Sequence, residues 1–277
     1  GGATGRGIHV PDPIPGAAAY QSDRHHLIDG IAPDVWSPLS RFWVTADGWV
    51  RTHGNYPHHA AALLGALSLP ADASAAEIGA VLAQTRAADA ASRITARGGL
   101  CTPVRRERPG ADAELRRDPL VKLTRWGDAP RRPLHPAPGL PLHGVRVLDL
   151  TRVIAGPVAT RTLAFAGADV LRIDPPRRPE VGWQHLDTGH GKRSALLDVA
   201  DDPTRLEQLL KDADVIVLGY RPDGLTRLGL SPAALARRHP HLVIAQLSAW
   251  PGDRSARGFD SIVQADSGIS WISSVDG

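Results

Sequence analysis

From residue 145 onward the chain alternates short, near-continuous apolar runs with helix-patterned segments. That alternation leaves few folds open. VRVLDL (145–150), DVLRIDPP (169–176), SALLDV (194–199), DVIVLGY (214–220) and LVIAQLSAW (242–250) read as strands. VATRTLAFAG (158–167), PTRLEQLLKDA (203–213) and SPAALARRHP (231–240) read as helices, the second with Pro203 at its first position. Strands that are apolar on both faces and joined by helices belong in a parallel sheet covered on both sides. The expected fold is α/β and Rossmann-like in plan. Ligands of such sheets lie beyond the carboxyl ends of the strands. That rule points to residues 151–157, 175–178, 219–224 and 248–252.

The first half follows another pattern. RFWVTADGWVRTHG (41–54) reads as a β-hairpin with Asp47-Gly48 in the tight turn. HHAAALLGALSL (58–69) reads as a short helix. SAAEIGAVLAQTRAADAASRITARG (74–98) reads as one long helix, with Ser74 and Glu77 in a capping box and Gly98 at its end. PLVKLTRWG (119–127) reads as a further strand. The segment 129–144, APRRPLHPAPGLPLHG, carries five prolines and no hydrophobic period, so it reads as an ordered linker or an extended crossover. The 277 residues suffice for two modest domains. The expected division is a smaller α+β domain over 1–139 and a Rossmann-like domain over 140–277.

Composition narrows the classes. No apolar run approaches the roughly 20 residues that span a bilayer. GGATGRGIHVPDPIPG lacks the apolar core of a secretory signal. The chain does not begin with Met and contains none, so it is expected to be processed, recombinant or a fragment. Of 32 basic residues only Lys122, Lys192 and Lys211 are lysines, and the arginines are scattered among acids. A nucleic-acid face would cluster them with aromatics. The expectation is no nucleic acid and no membrane. A single cysteine, Cys101, excludes an internal disulfide and fits a reducing cytoplasm.

Motifs narrow them further. G-x-G-x-x-G is missing after the first strand of the second half, and so is a P-loop. There is no G-x-S-x-G elbow, and no base can be named for Cys101. The histidines at 25, 26, 53, 58 and 59 lack the ligand spacing of a metal centre. What remains is the turn Val153–Pro157 at the start of a helix, which is either an anion seat or an ordinary βα turn. Lys192 and Arg193, in GHGKRSALLDV, are either phosphate ligands or a solvated basic pair. Tyr220, Arg221 and Arg227, in YRPDGLTRLGL, either hold a nucleotide by stacking and charge or are surface residues of a Pro-Asp-Gly turn.

GVRVLDLTRVIAGPVATRTLAFAGADVLRIDPP, GKRSALLDV, ADVIVLGYRPDGLTRLGLSPAALARRHPHLVIAQLSAWP and GFDSIVQADSG together resemble the amino-terminal signature of the class III CoA-transferase family. That family includes formyl-CoA and carnitine CoA-transferases and α-methylacyl-CoA racemase. The resemblance covers 142–277 in the family's order. It implies a Rossmann-like domain, coenzyme A or acyl-CoA as substrate with no covalently bound cofactor, a carboxylic acid as the other substrate, and an interlocked homodimer. By position, Val153, Ile154 and Ala155 would line the CoA site. Lys192 and Arg193 would lie near the phosphates. Tyr220, Arg221 and Arg227 would flank the nucleotide.

Three departures accompany it. Gly219 stands where the family often has Asn. Phe259 stands where the racemases have His. The Asp that forms the acyl-aspartyl anhydride lies, in the family, beyond the Asp-Gly that matches Asp276-Gly277, so it is expected outside this chain. Asp260 reads as structural. The first half resembles the family's later part over 40–128, which implies an order of tail first and head second. The expected function is a class III acyl-CoA:carboxylate CoA-transferase. The alternatives are a non-catalytic CoA-binding or dimerisation module, or a 2-methylacyl-CoA racemase.

Overall fold

In the computed structural model, residues 19–130, 132–250 and 256–274 are described. They form two compact units, each discontinuous in sequence. One gathers Gly1–Pro33 and Leu123–Ser248; the other gathers Asp34–Lys122 and Ala249–Gly277. This packing differs from the division expected at residue 140. The segment 129–144 lies inside the first unit, and the chain after Ser248 belongs to the second.

The first unit is built on a five-stranded parallel sheet. Its strands are β4 (Arg146–Leu150), β5 (Asp169–Asp174), β6 (Arg193–Leu196), β7 (Val215–Leu218) and β8 (Val243–Gln246), in the order β6-β5-β4-β7-β8. Every pair is parallel, with Leu148 opposite Leu171 and Ile216. The strand order therefore reverses between β4 and β7, at the topological switch point. The alternation of side chains across the pleat explains why the strands read as unbroken apolar runs. Leu148, Leu150, Ile216 and Leu218 face one layer with Leu206, Leu210, Leu225 and Leu235. Val147, Val170 and Val217 face the other. The helices of this unit are α5 (Ala155–Phe165), α6 (Gly182–Gly189), α7 (Pro203–Asp212), α8 (Pro222–Arg227) and α9 (Pro232–Arg238). α6 and α8 were not legible as helices. α8 occupies the segment expected as a Pro-Asp-Gly turn, with Pro222 in its first turn.

The second unit is a three-stranded antiparallel sheet, β1 (Phe42–Thr45), β2 (Gly48–Thr52) and β3 (Cys101–Pro103). Helices α1 (Pro57–Ala66), α2 (Ala75–Ala83) and α3 (Ala87–Ala96) supply its core, where Leu63, Ile78, Leu82 and Ile94 pack with Trp43 and Val50. Short helices α4 (Pro109–Leu115), α10 (Asp260–Ser267) and α11 (Ile269–Ile272) complete it. Thr45 pairs with Gly48, so the hairpin loop is Ala46-Asp47 and not Asp47-Gly48. Asp47 does other work: its carboxylate accepts the Ala87 N–H at 2.7 Å and the Arg86 Nε at 3.1 Å. That captured N–H starts α3, which is why the single helix expected over 74–98 is two. The Ser74–Glu77 capping box is present at the start of α2. Residues 119–127 form no strand, and Leu120 and Leu123 are exposed.

Candidate functional site

The carboxyl end of β4 is organised by one carboxylate. Asp149 is 0% exposed. It accepts the Thr151 N–H at 3.1 Å, the Thr151 hydroxyl, the Thr160 hydroxyl at 2.5 Å and the Lys192 ammonium at 2.9 Å. Lys192 Nζ also donates to Pro157 O at 2.8 Å and Thr160 Oγ1 at 2.7 Å. Its side chain is 1% exposed. Three donors meet three acceptors, so the ammonium is saturated. Burial lowers the Lys192 pKa, and the Asp149 charge opposes that shift. The pair thus pins the first turn of α5 onto the end of β4. Thr151 is wedged between two glycines. A Cβ at Gly156 would fall 2.4 Å from Thr151 Cβ, and one at Gly219 would fall 3.1 Å from it. Gly219 leaves room for this wedge.

A second buried charge network adjoins the same turn. Arg172, 1% exposed, donates to both oxygens of Asp174 at 2.7 and 3.1 Å and to Glu180 Oε2 at 3.2 Å. Burial works against its charge, but Asp174 and Glu180 outweigh burial and hold the Arg172 pKa above its ordinary value. Glu180 also accepts the Val153 N–H at 2.9 Å. Val153 has φ of +69°, a left-handed conformation that a β-branched residue rarely takes. The surrounding contacts must over-determine such a residue.

The sequence-derived candidates divide on this scaffold. Val153, Ile154 and Ala155 form the turn after β4 into α5, with Ile154 and Ala155 exposed. Tyr220, Arg221 and Arg227 follow β7, the strand beside β4, and Arg221 and Arg227 are exposed. Both groups therefore flank the switch point. Tyr220 differs from an open stacking platform. Its ring packs against the core, its hydroxyl is buried without a partner among the described residues, and burial pushes its pKa up to about 12. Lys192 reaches the turn from inside the protein. Arg193 stands elsewhere: it begins β6, at the amino end, and grips Asp169 at 2.6–3.1 Å. Asp149, Thr151, Thr160, Arg172 and Glu180 were missed. R-x-D within an apolar strand was the available signal for Arg172 and Asp174, since positions i and i+2 share a face.

In the second unit, Cys101 is buried and its thiol is pushed up to about 12, so it is no thiolate nucleophile at neutral pH. Phe259 stacks on His53 with ring centres 4.1 Å apart. Asp260 lies in the first turn of α10 and accepts Gln264 Nε2 at 2.6 Å, a structural contact. Asp276-Gly277 lies outside the described residues, as do residues 251 and 252 of the last expected loop. Burial, with Arg51 nearby, lowers the His53 pKa to about 4 from 6.5. The folded protein therefore keeps His53 neutral where the unfolded chain protonates it. The unfolded state binds more protons, so stability falls as pH drops through 6.5 and the loss is complete below about 4. The loss attributable to His53 is on the order of 3 kcal/mol. Urea unfolding of wild type and His53→Gln between pH 7 and 4 checks this. The wild type should lose that much more stability than the variant, and parallel pH curves would refute it.

The family model for CoA-transferase family III matches residues 142–277. The chain is 34% identical over 151 residues to the probable fatty acyl-CoA transferase Rv3272 of Mycobacterium tuberculosis, covering 48% of this chain and 38% of that protein. It is 43% identical over 106 residues to the acetyl-coenzyme A transferase nodX of Hypoxylon pulicicidum, covering 38% of this chain and 18% of that protein. It is 32% identical over 149 residues to the human succinyl-CoA:glutarate CoA-transferase, covering 48% and 34%. A crystal structure of the M. tuberculosis protein superposes with a TM-score of 0.43 at 35% identity, covering 48% of this chain and 40% of that one. The chain thus spans well under half the length of these relatives.

Proposed function

We propose, because residues 142–277 match the model of CoA-transferase family III, that this chain supplies the CoA-binding part of an acyl-CoA:carboxylate CoA-transferase. The observation that carries the reading is the switch point itself. The α5 turn and the α8 segment flank it with Ile154, Ala155, Arg221 and Arg227 exposed. The first turn of α5 offers the Ala155 and Gly156 N–H groups, which have no acceptor within the helix, and the positive end of a helix dipole. Arg221 and Arg227 offer planar cations that pair with phosphates and stack on rings. Lys192 has a different part in this account from the one its position in the family implies. It acts through Asp149 to hold the turn, and Arg193 takes no part.

Transfer through an acyl-aspartyl anhydride needs a carboxylate free to attack the thioester carbonyl. Asp149, Asp174 and Glu180 are each committed to buried cations. The resemblance places the nucleophilic Asp beyond Asp276-Gly277, and none of these three carboxylates is proposed in its place. Coenzyme A as substrate, a carboxylic acid as acceptor and a cytoplasmic setting belong to the same proposal. So does an interlocked homodimer, which sedimentation as a monomer would overturn. Among the described residues no helix is long and apolar enough to cross a membrane.

Calorimetric titration with CoA tests the site. Arg227→Ala should weaken binding about tenfold or more, the scale of one charge-assisted hydrogen bond. Arg193→Ala should leave affinity unchanged. Equal affinity in wild type and Arg227→Ala would remove α8 from the site.

A further inference from the structure

Among the described residues, the second unit contains a buried cation with no counter-charge. Arg51 is 8% exposed, yet among the described residues it has no carboxylate and no hydrogen-bond acceptor, and its Nε is buried without a partner. Its guanidinium instead lies over the Trp36 and Phe42 rings, at 5.3 and 4.8 Å from their centres. Two residues on, His53 is 5% exposed. Its Nδ1 faces the Ser261 hydroxyl at 3.5 Å, and its Nε2 is buried without a partner. Trp36 joins the two, since its ring centre is 6.3 Å from that of His53. Ring faces attract a guanidinium but do not replace the hydrogen bonds it loses on leaving water. Buried charges are ordinarily paired, and an unsatisfied buried donor calls for a missing partner.

We propose that Arg51 and His53 form a binding site for the carboxylate of a small organic acid, with Trp36 and Phe42 as its apolar walls. The charge argument selects the ligand class. One guanidinium needs one negative charge, and a neutral imidazole adds a donor but no charge. A monocarboxylate matches that pair with its two oxygens, whereas a phosphate dianion would bring an uncompensated charge against a buried guanidinium and a neutral imidazole. The walls suit a ligand whose body is apolar. Nothing in this inference rests on the CoA reading, which concerns the other unit.

The test is nitrogen-15 NMR of the full 277-residue chain, following the Arg51 Nε–H and the His53 ring, during titration with benzoate, propionate and inorganic phosphate. Benzoate and propionate should shift both signals saturably, and phosphate should not. Arg51→Gln should weaken carboxylate binding about tenfold or more. Arg51→Lys keeps the charge, guards against a folding defect, and should retain part of the affinity. Arg41→Gln, on the neighbouring ring of Trp43, should bind like wild type. Signals unmoved by either carboxylate, binding that persists in Arg51→Gln, or phosphate binding as tightly as benzoate would each overturn the proposal.

Discussion

Lys192→Met is expected to destabilise the α/β unit by about 3–5 kcal/mol, because it leaves the Asp149 carboxylate buried and unpaired. Asp149 would keep its hydroxyl donors from Thr151 and Thr160 but lose the ammonium paired with it, and Pro157 O would lose a donor. Urea unfolding followed by circular dichroism reads the effect. The double variant Asp149→Asn, Lys192→Met should recover a large part of the loss, since it removes both charges together. The contrasting case is sharp. A solvated lysine waiting for phosphates would cost less than about 1 kcal/mol on removal, and would weaken CoA binding in a salt-dependent way. The buried geometry predicts the opposite pairing: a large stability loss, with weaker binding arising through a loosened α5 turn.

Arg172→Met should be comparably damaging, again about 3–5 kcal/mol, because Asp174 would lose the guanidinium that grips both its oxygens, and Glu180, which still faces Arg152, would lose a buried partner. The damage should extend to the turn. Glu180 accepts the Val153 N–H, and that hydrogen bond helps hold Val153 at its positive φ. Val153→Gly supplies the check. Glycine adopts this φ without steric cost, so in the Arg172→Met background it should restore part of the lost stability. If Arg172→Met unfolds at the wild-type midpoint, the network is not holding the turn.

Why some of this was legible follows from which residues decide each element. The parallel sheet could be read because its strands are buried on both faces and carry that burial in continuous apolar runs. The break between α2 and α3 could not, because the group that makes it is Asp47, on a hairpin loop 40 positions away from Ala87. Lys192 and Arg193 look alike as a basic pair. Successive side chains of an extended chain point to opposite sides. One therefore entered the protein to meet Asp149, while the other stayed outside with Asp169. Glu180 sits among prolines and arginines in a stretch that reads as surface, and its burial depends on Arg172 of β5. The division by packing was hidden for a similar reason. Residues after 255 carry the sequence signature of the first unit's continuation, but Phe259 stacks on His53 of the second.

Coenzyme A is proposed to bind at the switch point between β4 and β7. Hydrogen exchange on the 277-residue chain, with and without CoA, tests it most directly. Slowed exchange is expected over residues 152–158 and 219–228, with residues 193–196 and the β1–β2 hairpin unchanged. Unchanged exchange at both flanks of the switch point under saturating CoA, or protection confined to the hairpin, would contradict it.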